Sequence, residues 1–183
     1  GTIRSASMSG FVKRGAGKLI LSNVGSNHFG AGYLPGLHAA EGTLVLDGVN
    51  NTNRVQGETW VGGSPFSAGH MIISNATLLS DSWFGVGSRN GSNGYSSTLT
   101  MVNGKVVIAG NGFAMGFSGY PSNSANPVAT LNGNSTIYMP NYIQVGESTG
   151  SSATLNLNDT SWMRSTRLLL GLGAYTTGTV TIA

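Results

Sequence analysis

Short runs in which aliphatic and polar residues alternate recur along this chain at nearly even intervals. The pairs Leu19/Leu21, Leu44/Leu46, Met71/Ile73, Leu99/Met101, Ala129/Leu131 and Leu155/Leu157 each end two residues before Asn23, Gly48, Asn75, Asn103, Gly133 and Asp159. A seventh pair, Val180/Ile182, completes the series. Subtracting first members gives steps of 25, 27, 28, 30, 26 and 25 residues. Alternation of period two sends both members of a pair to one side of a strand. A self-similar period in this range marks a solenoid, in which each repeat buries its apolar face only against its neighbours.

Residues 98–116 show one coil in full. Leu99 and Met101 alternate with Thr100 and Val102, and Asn103-Gly104 follows, a dipeptide that tolerates positive φ and so turns a corner. Lys105-Val106-Val107-Ile108 predicts a second strand, Gly110-Asn111-Gly112 a second corner, and Phe113-Ala114-Met115 a third strand. A second marker runs in parallel, an apolar residue followed by Gly at Val61-Gly62, Val86-Gly87, Met115-Gly116, Val145-Gly146 and Leu172-Gly173. Its longer steps coincide with those of the doublets, which places the extra residues after the apolar-Gly step, on one edge of the stack. The prediction is an all-β fold, one right-handed parallel β-helix over residues 1–183 with about seven coils and three short strands per coil. The hand follows from the rule for parallel crossovers. With strands about 4.8 Å apart, such a body is roughly 30–35 Å long. Asn23, Asn75 and Asn103 invite a partial amide ladder at one corner, although each also serves simply to permit the turn.

Charged residues are only 8% of the 183, against about 25% in ordinary globular domains. A charge-poor chain with 29 glycines suits stacked strands, where like charges in register repel. The net charge of +3 comes from few groups, and no basic cluster exceeds Lys13-Arg14, so nucleic acid is not an expected partner. Cysteine is absent, which excludes disulfides and cysteine-ligated zinc. No apolar run approaches the roughly 18 residues of a membrane helix.

The first two coils resemble a known repeat. Gly10-Phe11-Val12-Lys13-Arg14-Gly15-Ala16-Gly17-Lys18-Leu19-Ile20-Leu21-Ser22, followed by Glu41-Gly42-Thr43-Leu44-Val45-Leu46, is similar to the passenger-associated repeat of bacterial autotransporters. That repeat has a lysine-glycine-small-glycine turn leading into a Thr-Leu type strand. The match covers about residues 10–48. The resemblance implies a secreted or surface-displayed right-handed β-helix, often a stalk or adhesin, and no outer-membrane barrel accompanies it in this sequence.

Candidate chemistry is sparse. The six acids, Glu41, Asp47, Glu58, Asp81, Glu147 and Asp159, show no paired spacing of the kind that glycoside hydrolysis needs. His28, His38 and His70 fall at different phases of the repeat, without neighbours at metal-ligand spacing. No cofactor is expected. The loop edge carries Phe66, Tyr95, Phe117, Tyr120 and Tyr175, with Arg89 and Glu147 near in sequence, and these rings suit a sugar or protein surface as well as they suit covering their own loops. Trp60, Trp83 and Trp162 lie close to strands and read as core or groove-covering residues.

Unblocked terminal coils of a solenoid invite pairing with other chains, so two expectations compete: the chain is a segment of a longer β-helix, or its ends stack on other subunits to form a fibre. The expected function is therefore non-enzymatic and structural: an extracellular or cell-surface stalk, or a fibre subunit that self-associates by end-to-end stacking of terminal coils. A carbohydrate-binding adhesin that meets a cell-surface glycan or protein is the alternative. A polysaccharide lyase or glycoside hydrolase is the third reading.

Overall fold

Strands of this chain pair with the strands one coil before and after them, always in parallel. The computed structural model describes residues 2–4, 10–22, 25–30, 36–62, 68–87, 96–117 and 126–183. The first coil is β1 (Phe11–Lys13), β2 (Lys18–Leu21) and β3 (Gly25–Phe29). The next two are β4 (Leu37–Ala39), β5 (Gly42–Asp47), β6 (Asn51–Val55), and β7 (Thr59–Val61), β8 (Gly69–Ser74), β9 (Thr77–Ser80). Then come β10 (Phe84–Val86), β11 (Thr98–Val102), β12 (Lys105–Ile108), and β13 (Gly112–Met115), β14 (Val128–Asn132), β15 (Thr136–Tyr138). A sixth coil, β16 (Tyr142–Val145), β17 (Ser152–Leu157) and β18 (Trp162–Arg164), precedes β19 (Arg167–Leu170) and β20 (Thr177–Ile182). The prediction of about seven coils becomes six complete turns and two further strands.

Three sheets form the walls. Sheet I takes every third strand from β1 to β19, sheet II from β2 to β20, and sheet III from β3 to β18. The aliphatic doublets lie on sheet II in unbroken register. Leu19, Leu44, Met71, Leu99, Ala129, Leu155 and Val180 form one column, and the second members form its neighbour. From Leu44 to Leu131 these side chains are fully buried. The corners after them use the left-handed region, with φ of 114° at Gly48, 52° at Asn75, 51° at Asn103, 63° at Gly133 and 60° at Asp159. These short side chains tolerate that conformation better than bulky or β-branched ones. Asn23 lies outside the described residues.

Two details differ from the sequence reading. The last apolar-Gly step is Leu170-Gly171, not Leu172-Gly173, because Leu170 pairs with Val145 and Gly171 has the positive φ of 62°. The run of three leucines before Gly171 made either frame plausible, and the ladder decides it. The amide ladder does not join Asn75 to Asn103. Asn75 Nδ2 donates to Ser74 Oγ, and Asn103 Oδ1 accepts from the Asn134 N–H at 3.1 Å. An amide cluster forms instead inside sheet III. There Asn27 Nδ2 donates to Asn53 Oδ1 at 2.7 Å, Asn53 Nδ2 to Asn51 Oδ1 at 3.2 Å, and Asn51 Nδ2 to the Leu21 carbonyl at 2.8 Å. Buried amides persist because their polar atoms are paired.

The two ends differ in kind. Lys13 occupies the interior column of sheet I that continues through Ala39, Val61, Val86, Met115, Val145 and Leu170. Its ammonium donates to the carbonyls of Arg14, Gly15 and Glu41 at 3.0, 2.5 and 2.8 Å. The N-terminal interior is thus closed with a charge and amides. At the other end the same column finishes in Leu170, 48% exposed.

Candidate ligand and partner surfaces

The outer face of sheet I has one column running Val12, His38, Trp60, Gly85, Ala114, Gln144 and Leu169. A solvated face would be polar, yet Trp60 is 3% exposed and Ala114 is fully buried. Gly85 makes this possible, since a Cβ there would stand 2.1 Å from the Trp60 ring. Trp60 Nε1 donates to Glu58 Oε2 at 2.8 Å, and its ring packs on Phe117 with centroids 5.7 Å apart. Trp83 meets Tyr142 edge-on at 5.5 Å. Glu58, Trp60, Trp83 and Phe117 line a small cleft of about 110 Å³. His38 Nε2 sits against the Gly62 carbonyl, and burial lowers its pKa below the usual imidazole value.

Of the loop aromatics expected to form a surface, Phe117 belongs to this cleft. Tyr175 stands elsewhere, 94% exposed on the turn between β19 and β20. Phe66, Tyr95 and Tyr120, with Arg89, lie outside the described residues. Trp60 and Trp83, read as covering residues, are the cleft's main walls. No local motif marks that site, because its members come from different coils and meet only through stacking. The longest connections, 87–97 and 116–127, both join a strand of sheet I to the next strand of sheet II.

The acids are spread over the coils and mostly tied to structure. Glu41 accepts from the Gly15 N–H at 2.9 Å, and Asp159 from the Gly133 N–H at 2.8 Å. Asp81 pairs with Arg54 at 3.5 Å. Glu147 is different. Its Oε2 is buried without a hydrogen-bond partner, and burial raises its pKa to about 7. Gln144 Oε1 and Ser151 Oγ are likewise buried and unpaired. Among the described residues, no three His, Asp or Glu side chains gather to hold a metal ion.

The C-terminal face, made by β18, β19 and β20, is apolar in its centre. Leu168, Leu170 and Ile182 are 51%, 48% and 79% exposed although they continue interior columns. A hollow of about 300 Å³ there is lined by Leu155, Met163, Leu168, Val180 and Ile182, with Arg164 and Ser165 at its rim.

No protein-family model, curated protein or solved structure significantly matches this chain. The parallel β-solenoid rests on the register of its own strands. The likeness to autotransporter passengers rests on residues 10–48 alone.

Proposed function

We propose that this chain is a non-enzymatic structural β-solenoid, a stiff stalk or fibre segment of an extracellular or bacterial surface protein whose coils stack end to end. The carrying observation is the pair of interior columns that run in register through the coils of sheet II, from Leu19 to Val180 and from Leu21 to Ile182. A stack held by continuous ladders resists bending, and aliphatic columns gain free energy as each strand layer covers the next. The low charge suits stacked strands, and the resemblance of residues 10–48 supports display outside the cell. Pulling single molecules by their ends should give cooperative rupture at high force. Smooth extension at low force would remove the stalk reading. Polysaccharide cleavage that disappears in Glu58→Gln would overturn its non-enzymatic part.

The adhesin reading has one specific observation in its favour, the aromatic cleft with a carboxylate at its edge. Indole faces stack on sugar rings, and carboxylates accept from sugar hydroxyls. Tryptophan fluorescence titrated with surface glycans tests it. Binding should vanish in Trp83→Ala, and an unresponsive wild-type spectrum across the panel would reject it.

A further inference from the structure

We infer that the cleft on the outer face of sheet I binds a quaternary ammonium group, a trimethylammonium headgroup of the choline kind, between the rings of Trp60, Trp83 and Phe117 and beside the Glu58 carboxylate. This rests on the adhesin reading above, since both place a ligand in that cleft, and it names the group that enters.

Strand alternation and register assemble the site from three coils. Period two puts Glu58 and Trp60 on the outward side of one coil, and Trp83 and Gly85 on that of the next. The Thr59 N–H donates to the Trp83 carbonyl at 2.8 Å, which extends the ladder and sets Glu58 beside Trp83. Phe117 follows β13 and reaches back to Trp60, two coils away. Those two rings are inclined at 45°, so they diverge instead of lying flat on one another. Gly85 lets the Trp60 ring lie close against the sheet, and the edge of Tyr142, at 5.5 Å, braces Trp83. The cage is therefore built before any ligand arrives. Glu58, Trp83 and Phe117 are each half-buried, which leaves it open to solvent.

The chemistry of the lining selects a cation. Among the described residues it offers aromatic carbon and one carboxylate, Glu58. Ring faces carry negative charge density, and a cation over tryptophan gains most from it. The Trp60 N–H donates to Glu58 Oε2 at 2.8 Å, which fixes the carboxylate beside the rings and leaves the indole more electron-rich. Size narrows the choice. A cavity of about 150 Å³ holds a benzene molecule, and this cleft is about 110 Å³. A sugar ring, larger than benzene once its hydroxyls are counted, does not enter, whereas a nitrogen with three methyl groups is compact. Hydration narrows it further. A primary ammonium is strongly hydrated and brings three N–H donors that need acceptors. A trimethylammonium group brings none, keeps its charge and presents methyl groups to the rings, and aromatic cages are the general means of recognising it.

The test is tryptophan fluorescence of the whole chain titrated with choline and with its neutral isostere, in which carbon replaces the quaternary nitrogen. Choline should saturate, and the isostere should bind roughly tenfold more weakly. Glu58→Gln keeps an oxygen for the Trp60 N–H and removes the charge. It should weaken choline roughly two- to fivefold, the size of a half-exposed ion pair, and leave the isostere unchanged. Trp83→Ala should abolish choline binding while circular dichroism stays native, and Trp83→Phe, which keeps a ring, should retain part of it. Phosphocholine and trimethyllysine should both compete with choline through the shared headgroup, and the stronger competitor shows which kind of molecule carries it. Equal affinity for the isostere overturns the cation, and tighter binding of glucosamine than of choline overturns the methylated headgroup. A chain that answers a neutral glycan but not choline overturns this inference and leaves the adhesin reading standing. Silence towards both ends the two together.

Discussion

Glu147 is a residue whose environment works against its usual charge. Its pKa rises from 4.5 to about 7 because burial penalises the carboxylate, and Oε2 has no donor to offset that. A raised pKa means that the folded chain holds the proton more tightly than the unfolded chain. Its stabilising effect is complete below pH 4.5 and is lost as pH rises through about 7. His38 acts with the opposite sign, since its lowered pKa removes stability as pH falls below 6.5. Urea titrations of Glu147→Gln against wild type isolate the first effect. The variant's relative stability should increase from pH 4.5 to pH 7.5, and a constant difference would show that Glu147 titrates normally. Gly85 is the second sensitive residue. Gly85→Ala would push the Trp60 ring off sheet I, at a cost of about 1–3 kcal/mol for overpacking. A red-shifted tryptophan emission alongside that loss is the expected signature.

Corners and strands were legible to different degrees. The doublets of sheet II could be read directly, because period-two alternation that stops at a turn residue is the pattern of a half-buried strand meeting a corner. At the corner after β11, Asn103 adopts φ 51°. Asn103→Gly keeps the conformation and loses only the hydrogen bond from the Asn134 N–H, about 0.5–1.5 kcal/mol in thermal melts. Asn103→Val should lose about 1–2 kcal/mol more, because a β-branched residue resists the left-handed region. Sheet III was harder to read. Asn27, Asn51 and Asn53 look like turn residues in sequence, and only pairing across neighbouring coils satisfies them in the interior. The frame of Leu168-Leu169-Leu170-Gly171 was ambiguous for a related reason. A local string cannot say which leucine faces inward until Val145 lies beside Leu170.

Across the whole molecule, contacts pass from each coil to the next, so stability is a sum of neighbour interfaces. Leu99, fully buried in the middle of its column, should cost about 2–5 kcal/mol as Leu99→Ala, the range for a buried leucine cavity. Hydrogen exchange should then show protection lost first in β8, β11 and β14, with the terminal coils less affected. Uniform loss would mean that the stack behaves as one cooperative unit. Sequence alone determined the repeat, the interior columns of sheet II, the corner positions and the edge that carries the longest connections. These depend on spacing along one chain, and spacing is written in the order of residues. Tertiary structure decided which polar residues lie inside, how Trp60 crosses Gly85 to build a cleft with Phe117, and why one end is closed by Lys13 while the other presents leucines. Those features depend on which residues of different coils lie one strand apart, and only the register of the ladder sets that.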